Sequence, residues 1–219
     1  MVDSAKLKLY YYPAQGAAQQ IRFTLAAGGV AFEDVPASSF PASQEDKDLW
    51  VSLGKNTTTN IPMLVDGEKV YTQSLAVLRV AARRGGLMPT DADEVYQVDK
   101  LIADVADLRA ASYKAMSMMG ATPEAQAKFV KEVMPKHVGN IERQLGDNEY
   151  FVGGKLSVAD TAIYDVLTTK CRNMVPDYLS AYPKLDAFVK RIEGLEKIAE
   201  YRKSEAFTKL MAFSAIKLE

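Results

Sequence analysis

The stretch Asn60-Ile61-Pro62-Met63-Leu64-Val65-Asp66-Gly67, followed by Gln73-Ser74-Leu75-Ala76-Val77-Leu78-Arg79, most narrows the folds open to this chain. Pro62 cannot donate to a sheet ladder, so it belongs at an edge or at a strand start, where an X–Pro bond can be cis. Met63-Leu64-Val65 then reads as a strand that turns at Asp66-Gly67 and returns through Lys69-Val70-Tyr71 as a hairpin. A helix follows from Ser74, with Leu75, Leu78 and Ala82 at helical spacing. The carbonyl and amide of Ile61 are expected to face outward, ready to pair with an extended ligand backbone.

Composition removes several function classes. With 219 residues, 48% of them hydrophobic, the chain can bury one large core or two modest ones. Its 27 basic and 28 acidic residues are spread throughout, and a net charge of -1 offers no field for nucleic acid or an anionic membrane. The start, Met1-Val2-Asp3-Ser4-Ala5-Lys6, runs into polar–apolar alternation, and no window approaches a membrane span. A cytoplasmic protein is expected. Cys171 is the only cysteine, which rules out an intrachain disulfide or a cysteine-based zinc site; it is expected to pack as a small hydrophobe. His137 is the only histidine, so a multi-histidine metal site is also excluded, and no metal is expected.

Residues 6 to 12 read as a strand with Leu7, Leu9 and Tyr11 on one face, stopped by Pro13. Gly16 permits a tight turn into a helix with Ala18, Ile21 and Leu25 at helical spacing, ended by Gly28-Gly29. Val30 to Val35 reads as a second strand, so the opening is a βαβ unit with a parallel pair. From Asp34 to Thr59 the chain is polar and irregular, a loop with at most one short helix. The order βαβ then ββα is the thioredoxin-like plan. Arg84-Gly85-Gly86-Leu87-Met88-Pro89-Thr90 marks a boundary, after which strand signals vanish. Val95, Val98, Ile102 and Val105 keep a helical rhythm, as do Phe129, Val133, Ile141 and Leu145 across an expected bend at Pro135. Leu185, Phe188, Val189 and Ile192 mark a further helix. The expected organisation is an α/β thioredoxin-like domain over 1–83, a linker over 84–93 and an all-α domain over 94–219. Ser157-Val158-Ala159-Asp160 has the form of a capping box, a folding device worth about 1 kcal/mol.

The Asn60–Arg79 segment, the first strand and helix, and Phe151-Val152-Gly153-Gly154-Lys155-Leu156-Ser157-Val158-Ala159-Asp160 together resemble the cytosolic glutathione S-transferases. The likeness covers nearly the whole chain and is to the tyrosine-type enzymes, closest to the pi and sigma classes. Three tyrosines, Tyr10, Tyr11 and Tyr12, compete for the catalytic role. The family spacing to Gly16 and Arg22 selects Tyr11, whose hydroxyl would donate to the glutathione sulfur and favour thiolate. The resemblance implies that Ile61 and Pro62 present backbone to glutathione, and that Gln73 and Ser74, at a helix N-terminus, hold the γ-glutamyl carboxylate. By the same likeness Trp50 and Lys55 serve the glycyl end. Asp107 reaches across a homodimer interface to the partner's γ-glutamyl amine. Tyr12, Ala14, Ala17, Met116, Ser117 and Gly120 are candidates for the electrophile pocket, although Met116 serves equally well as core. Glutathione is implied as co-substrate, with no permanently bound cofactor.

Two departures bear on activity. Gln15-Gly16-Ala17 stands where pi and sigma enzymes commonly carry Arg-Gly-Arg, which removes two cations near the sulfur. Thr57-Thr58-Thr59 replaces an aromatic-bearing segment that locks some pi-class dimers. The expected function is conjugation of glutathione to small hydrophobic electrophiles, in detoxification. A glutathione-dependent isomerase of the sigma type and a noncatalytic protein on the same fold are the alternatives.

Overall fold

A computed structural model describes residues 7–54, 56–116 and 119–212. The chain forms two compact units, one from the N-terminal residues through Leu87 together with Glu196–Met211, the other from Met88–Leu195.

The first unit is built on a four-stranded mixed sheet in the order β2-β1-β3-β4. Strand β1 (Leu7–Tyr11) buries Leu7 and Leu9 and exposes Lys8 between them, as alternation requires. It pairs in parallel with β2 (Phe32–Pro36) and antiparallel with β3 (Met63–Asp66), which pairs antiparallel with β4 (Lys69–Tyr71). Asp66 pairs with Lys69, so Gly67-Glu68 form the two-residue loop, one position later than the expected turn. Gly67 takes the positive φ that such a loop needs.

Helix α1 (Gln19–Ala27) is buried from Gln19 through Leu25 rather than on a single apolar stripe. Its polar members carry internal partners: the Gln20 amide donates to the Ala17 carbonyl and the Thr24 hydroxyl to the Gln20 carbonyl. α1 meets α3 (Ser74–Arg84) where Gly28 and Gly85 touch; a Cβ on Gly28 would lie 2.4 Å from the Gly85 Cα, a separation no side chain allows. The polar stretch after β2 holds a nine-residue helix, α2 (Gln44–Ser52), more order than the sequence suggested. Its start is a capping box, with the Asp46 N–H donating to the Ser43 hydroxyl and the Ser43 N–H to the Asp46 carboxylate. α10 (Glu196–Lys203) and α11 (Glu205–Thr208) also belong to this unit. The chain beyond them bridges back, with Met211 N–H donating to the Pro13 carbonyl and Gln15 N–H to the Met211 carbonyl.

The second unit is helical. α4 (Ala92–Lys114) is capped by the Asp91 carboxylate, which accepts the N–H groups of Asp93 and Glu94. It buries Val98, Leu101, Ile102, Val105 and Leu108 at three- and four-residue steps. α5 (Pro123–Lys128) runs through a π turn at Phe129–Val133 into α6 (Met134–Leu145). That widened turn takes up the perturbation expected at Pro135, which lacks an N–H and crowds the preceding turn. α7 (Val158–Asp165) opens on the expected capping box. The N–H and hydroxyl of Ser157 donate to one Asp160 oxygen at 2.8 and 2.7 Å, and the Phe151 N–H donates to the other at 2.9 Å. A second π turn, Val166–Cys171, leads to α8 (Arg172–Met174), and α9 (Pro183–Glu193) follows a short 3-10 turn. Among the described residues no helix is long and apolar enough to cross a membrane.

Candidate active site

Strand directions bring Tyr11, Pro62 and Gln73-Ser74 to one end of the sheet. Tyr11 is the last residue of β1, and the pairing of Tyr10 with Met63 sets Pro62 at the same end. β4 runs parallel to β1 because both oppose β3. Its final residue, Tyr71, pairs with Leu64, and Gln73-Ser74 leave the sheet from there. The Ile61–Pro62 bond is cis.

The Tyr11 hydroxyl accepts the backbone N–H of Ala17 at 3.0 Å, at the mouth of α1. Hydrogen bonds in series polarise one another, so a phenol that accepts an amide is a better donor to an anion. Gly16 makes this geometry possible. Its φ is +42°, and a Cβ there would lie 2.5 Å from the Tyr11 hydroxyl oxygen. The turn from Tyr12 to Gln15 is held from beneath by Arg22, which is 1% exposed. Its Nη1 donates to the Ala14 carbonyl at 2.8 Å, and its Nε and Nη2 fork onto Asp34 at 2.7 and 3.1 Å. The Arg22 guanidinium carbon also lies 5.8 Å from the centre of the Tyr11 ring.

Gln73 has φ +70° and is the one non-glycine residue with positive φ among those described. Such a conformation costs about 1–3 kcal/mol and concentrates at functional sites. It turns the chain sharply into α3, whose N-cap residue makes no side-chain cap hydrogen bond. Gln73 is exposed and Ser74 half-buried.

Trp50 is 2% exposed and lies in a core cluster with Tyr10, Ala37, Ala42 and Met63; Ile61 packs against that cluster. The Trp50 carbonyl accepts the side-chain amide of Asn56, which also donates to the Thr58 carbonyl and so ties α2 to the loop preceding Pro62. Tyr12 and Ala17 are half-buried and Ala14 is buried. In the second unit Asp107 is exposed on α4, Met116 is buried, and Gly120 is exposed. Lys55 and Ser117 lie outside the described residues. Cys171 is fully buried, and burial pushes its thiol up to about 12, far from a reactive thiolate.

Three contributors were not among the site residues expected from the sequence. Arg22 served only as a spacing marker, yet it organises the Tyr11 turn. Asn56 and the Ala37 N–H, which donates to the Tyr11 carbonyl at 2.8 Å, fix the loops around it.

Fold and site define a thioredoxin-like domain that offers a tyrosine hydroxyl beside a helix N-terminus, followed by a helical domain. The model of the glutathione S-transferase N-terminal domain matches residues 5–83, and that of the C-terminal domain matches residues 106–205. Glutathione S-transferase Mu 1 of Bos taurus is 34% identical over 206 residues, covering 91% of each chain. Glutathione S-transferase Mu 2 of Rattus norvegicus is 33% identical, covering 92% of each. The solved structure of a pi-class glutathione S-transferase from Onchocerca volvulus matches with a TM-score of 0.80 over 94% of this chain and 96% of that one, at 24% identity, a likeness of fold. The chain belongs to the glutathione S-transferase family, and its activity is that of a glutathione transferase.

Proposed function

We propose that this protein is a tyrosine-type transferase, of the pi and sigma kind, that conjugates glutathione to small hydrophobic electrophiles in the cytoplasm. Tyr11 donates its hydroxyl hydrogen to the glutathione sulfur. Ile61 and Pro62 pair with the peptide backbone, Gln73 and Ser74 take the γ-glutamyl carboxylate, and Trp50 and Lys55 support the glycyl end. Asp107 completes the site from the partner subunit of a homodimer. Residues 1–83 carry glutathione, 84–93 link, and the helices of the second unit supply the dimer contact. Tyr12 and Ala17, half-buried beside Tyr11, contact the electrophile. In the reaction the sulfur lone pair forms the new C–S bond while the leaving group departs with its electron pair.

The observation that carries this reading is the Ala17 N–H donated to the Tyr11 hydroxyl, at the sheet end shared with Pro62 and the start of α3. Lowering a thiol pKa from about 8.5 to about 6.5 needs roughly 2.7 kcal/mol of preferential thiolate stabilisation. At neutral pH the thiolate fraction then rises about 25-fold, while reduced nucleophilicity takes back about 6- to 10-fold. Ionisation alone therefore yields only a few-fold, and holding sulfur and electrophile together supplies the rest.

The test is an ultraviolet difference titration of glutathione bound to wild type and to Tyr11→Phe. The thiol pKa is expected to lie below its solution value in wild type and to return about 2 units toward it in the variant. Binding without a lowered pKa would instead favour a noncatalytic role, the reading suggested by Gln15 and Ala17 in place of two cations. No binding would remove glutathione as ligand.

A further inference from the structure

Phe40 is 68% exposed, the largest exposure among the bulky apolar side chains described. The loop that carries it is firmly tied down. Ala37 and Ala42, its two feet, are buried in the Trp50 cluster. The Asp46 carboxylate accepts the Ser38 N–H, the Ser38 hydroxyl at 2.7 Å and the Ser43 N–H, and these bonds, the Ser38 hydroxyl foremost, hold the carboxyl below its usual range. The Ser39 hydroxyl closes the tip onto the Pro41 carbonyl at 2.8 Å. These bonds fix the loop backbone on either side of Phe40, so the ring's place at the surface is set by an ordered loop.

Its ring neighbour among the described residues points to a use. The Phe40 ring stands edge-on to Tyr12, with centroids 4.9 Å apart, and Tyr12 stands edge-on to Tyr11 at 5.5 Å. An aromatic ladder thus leads from the candidate thiolate donor to the surface within one unit. Its outer end leaves ring surface uncovered, and rings attract further rings in edge-on or offset geometry.

We infer that Phe40 is a specificity-determining residue, the outer wall against which a planar aromatic electrophile lies during conjugation. The inference rests on the proposed transferase function and names the aryl class as its preferred co-substrate. The test compares wild type with Phe40→Ala and Phe40→Tyr at saturating glutathione. 1-Chloro-2,4-dinitrobenzene serves as the aryl electrophile and iodomethane as one without a ring; each releases a halide as the C–S bond forms. Phe40→Ala is expected to raise KM for the aryl electrophile about 2- to 12-fold, the range an aromatic pair supplies. Iodomethane turnover, the glutathione Kd and the solution mass should stay unchanged, and Phe40→Tyr should restore the aryl KM. Equal effects on both electrophiles, or none on either, would overturn the inference. A solution mass that falls to that of a smaller assembly would overturn the inference by showing Phe40 to be a partner contact. Wild type that turns over neither electrophile would overturn the transferase reading itself.

Discussion

Replacing Lys170 with methionine is expected to stabilise the protein and to remove a slope from its pH–stability curve. Lys170 is fully buried in the π turn after α7, with its ammonium nitrogen 4.7 Å from the centre of the Tyr113 ring. Burial, reinforced by the Arg109 charge, pushes the Lys170 amine down to about 6, against the opposing pull of Asp165. Asp165 is already engaged, accepting from Arg109 at 2.6 Å and from the Thr169 hydroxyl at 2.9 Å. The folded value lies below the unfolded value of about 10.4, so between them the unfolded chain holds a proton that the folded chain has released. Stability therefore rises with pH by about 1.4 kcal/mol per unit across that window and levels off below about 6, where both states carry the proton. Methionine fills a similar volume without the desolvation cost and should add about 1–4 kcal/mol at neutral pH. The gain over wild type should shrink as pH approaches 10. Urea unfolding of both proteins from pH 6.5 to 9.5 measures this, and a constant gap across the range would refute it.

Truncating Arg22 to alanine should act in the opposite sense and at least as strongly. It would leave Asp34 without its forked partner and strip the Ala14 carbonyl of its donor in a place water barely reaches. Breaking a fully buried pair costs about 3–5 kcal/mol, and the Arg22–Asp34 pair should fall toward the lower end because Asp34 keeps some contact with water. The damage should extend to function, because the Tyr12–Gln15 turn that Arg22 supports delivers Tyr11 to the Ala17 amide. Arg22→Lys keeps the charge but loses the fork and should fall between the two. Denaturant unfolding, with the bound-thiol titration on the folded variant, tests both effects. A loss below about 1 kcal/mol for Arg22→Ala would show that the turn holds itself.

These two residues also mark where reading the chain ends and knowing the fold begins. The hairpin around Gly67, the βαβ opening, the helix after Ser74 and the capping box at Ser157 were legible because each depends on residues close in sequence. Periodicity, turn chemistry and capping are local, and local rules travel with the letters. Helix α2 went largely unread because its charged face supplies no apolar rhythm, and Trp50 is its only buried residue. The gathering of Tyr11, Pro62 and Ser74 at one sheet end follows from strand order and direction, which local pattern does not set. Arg22 was legible only as a spacing marker for Tyr11; its contacts with Asp34 and the Ala14 carbonyl come from the fold. Lys170 gave no hint of its interior position, since a lysine directly after a pair of threonines is ordinary on a solvated face. Only packing determines which charges lose their water, and that loss is what shifts the Lys170 amine and makes the Arg22–Asp34 pair costly to break.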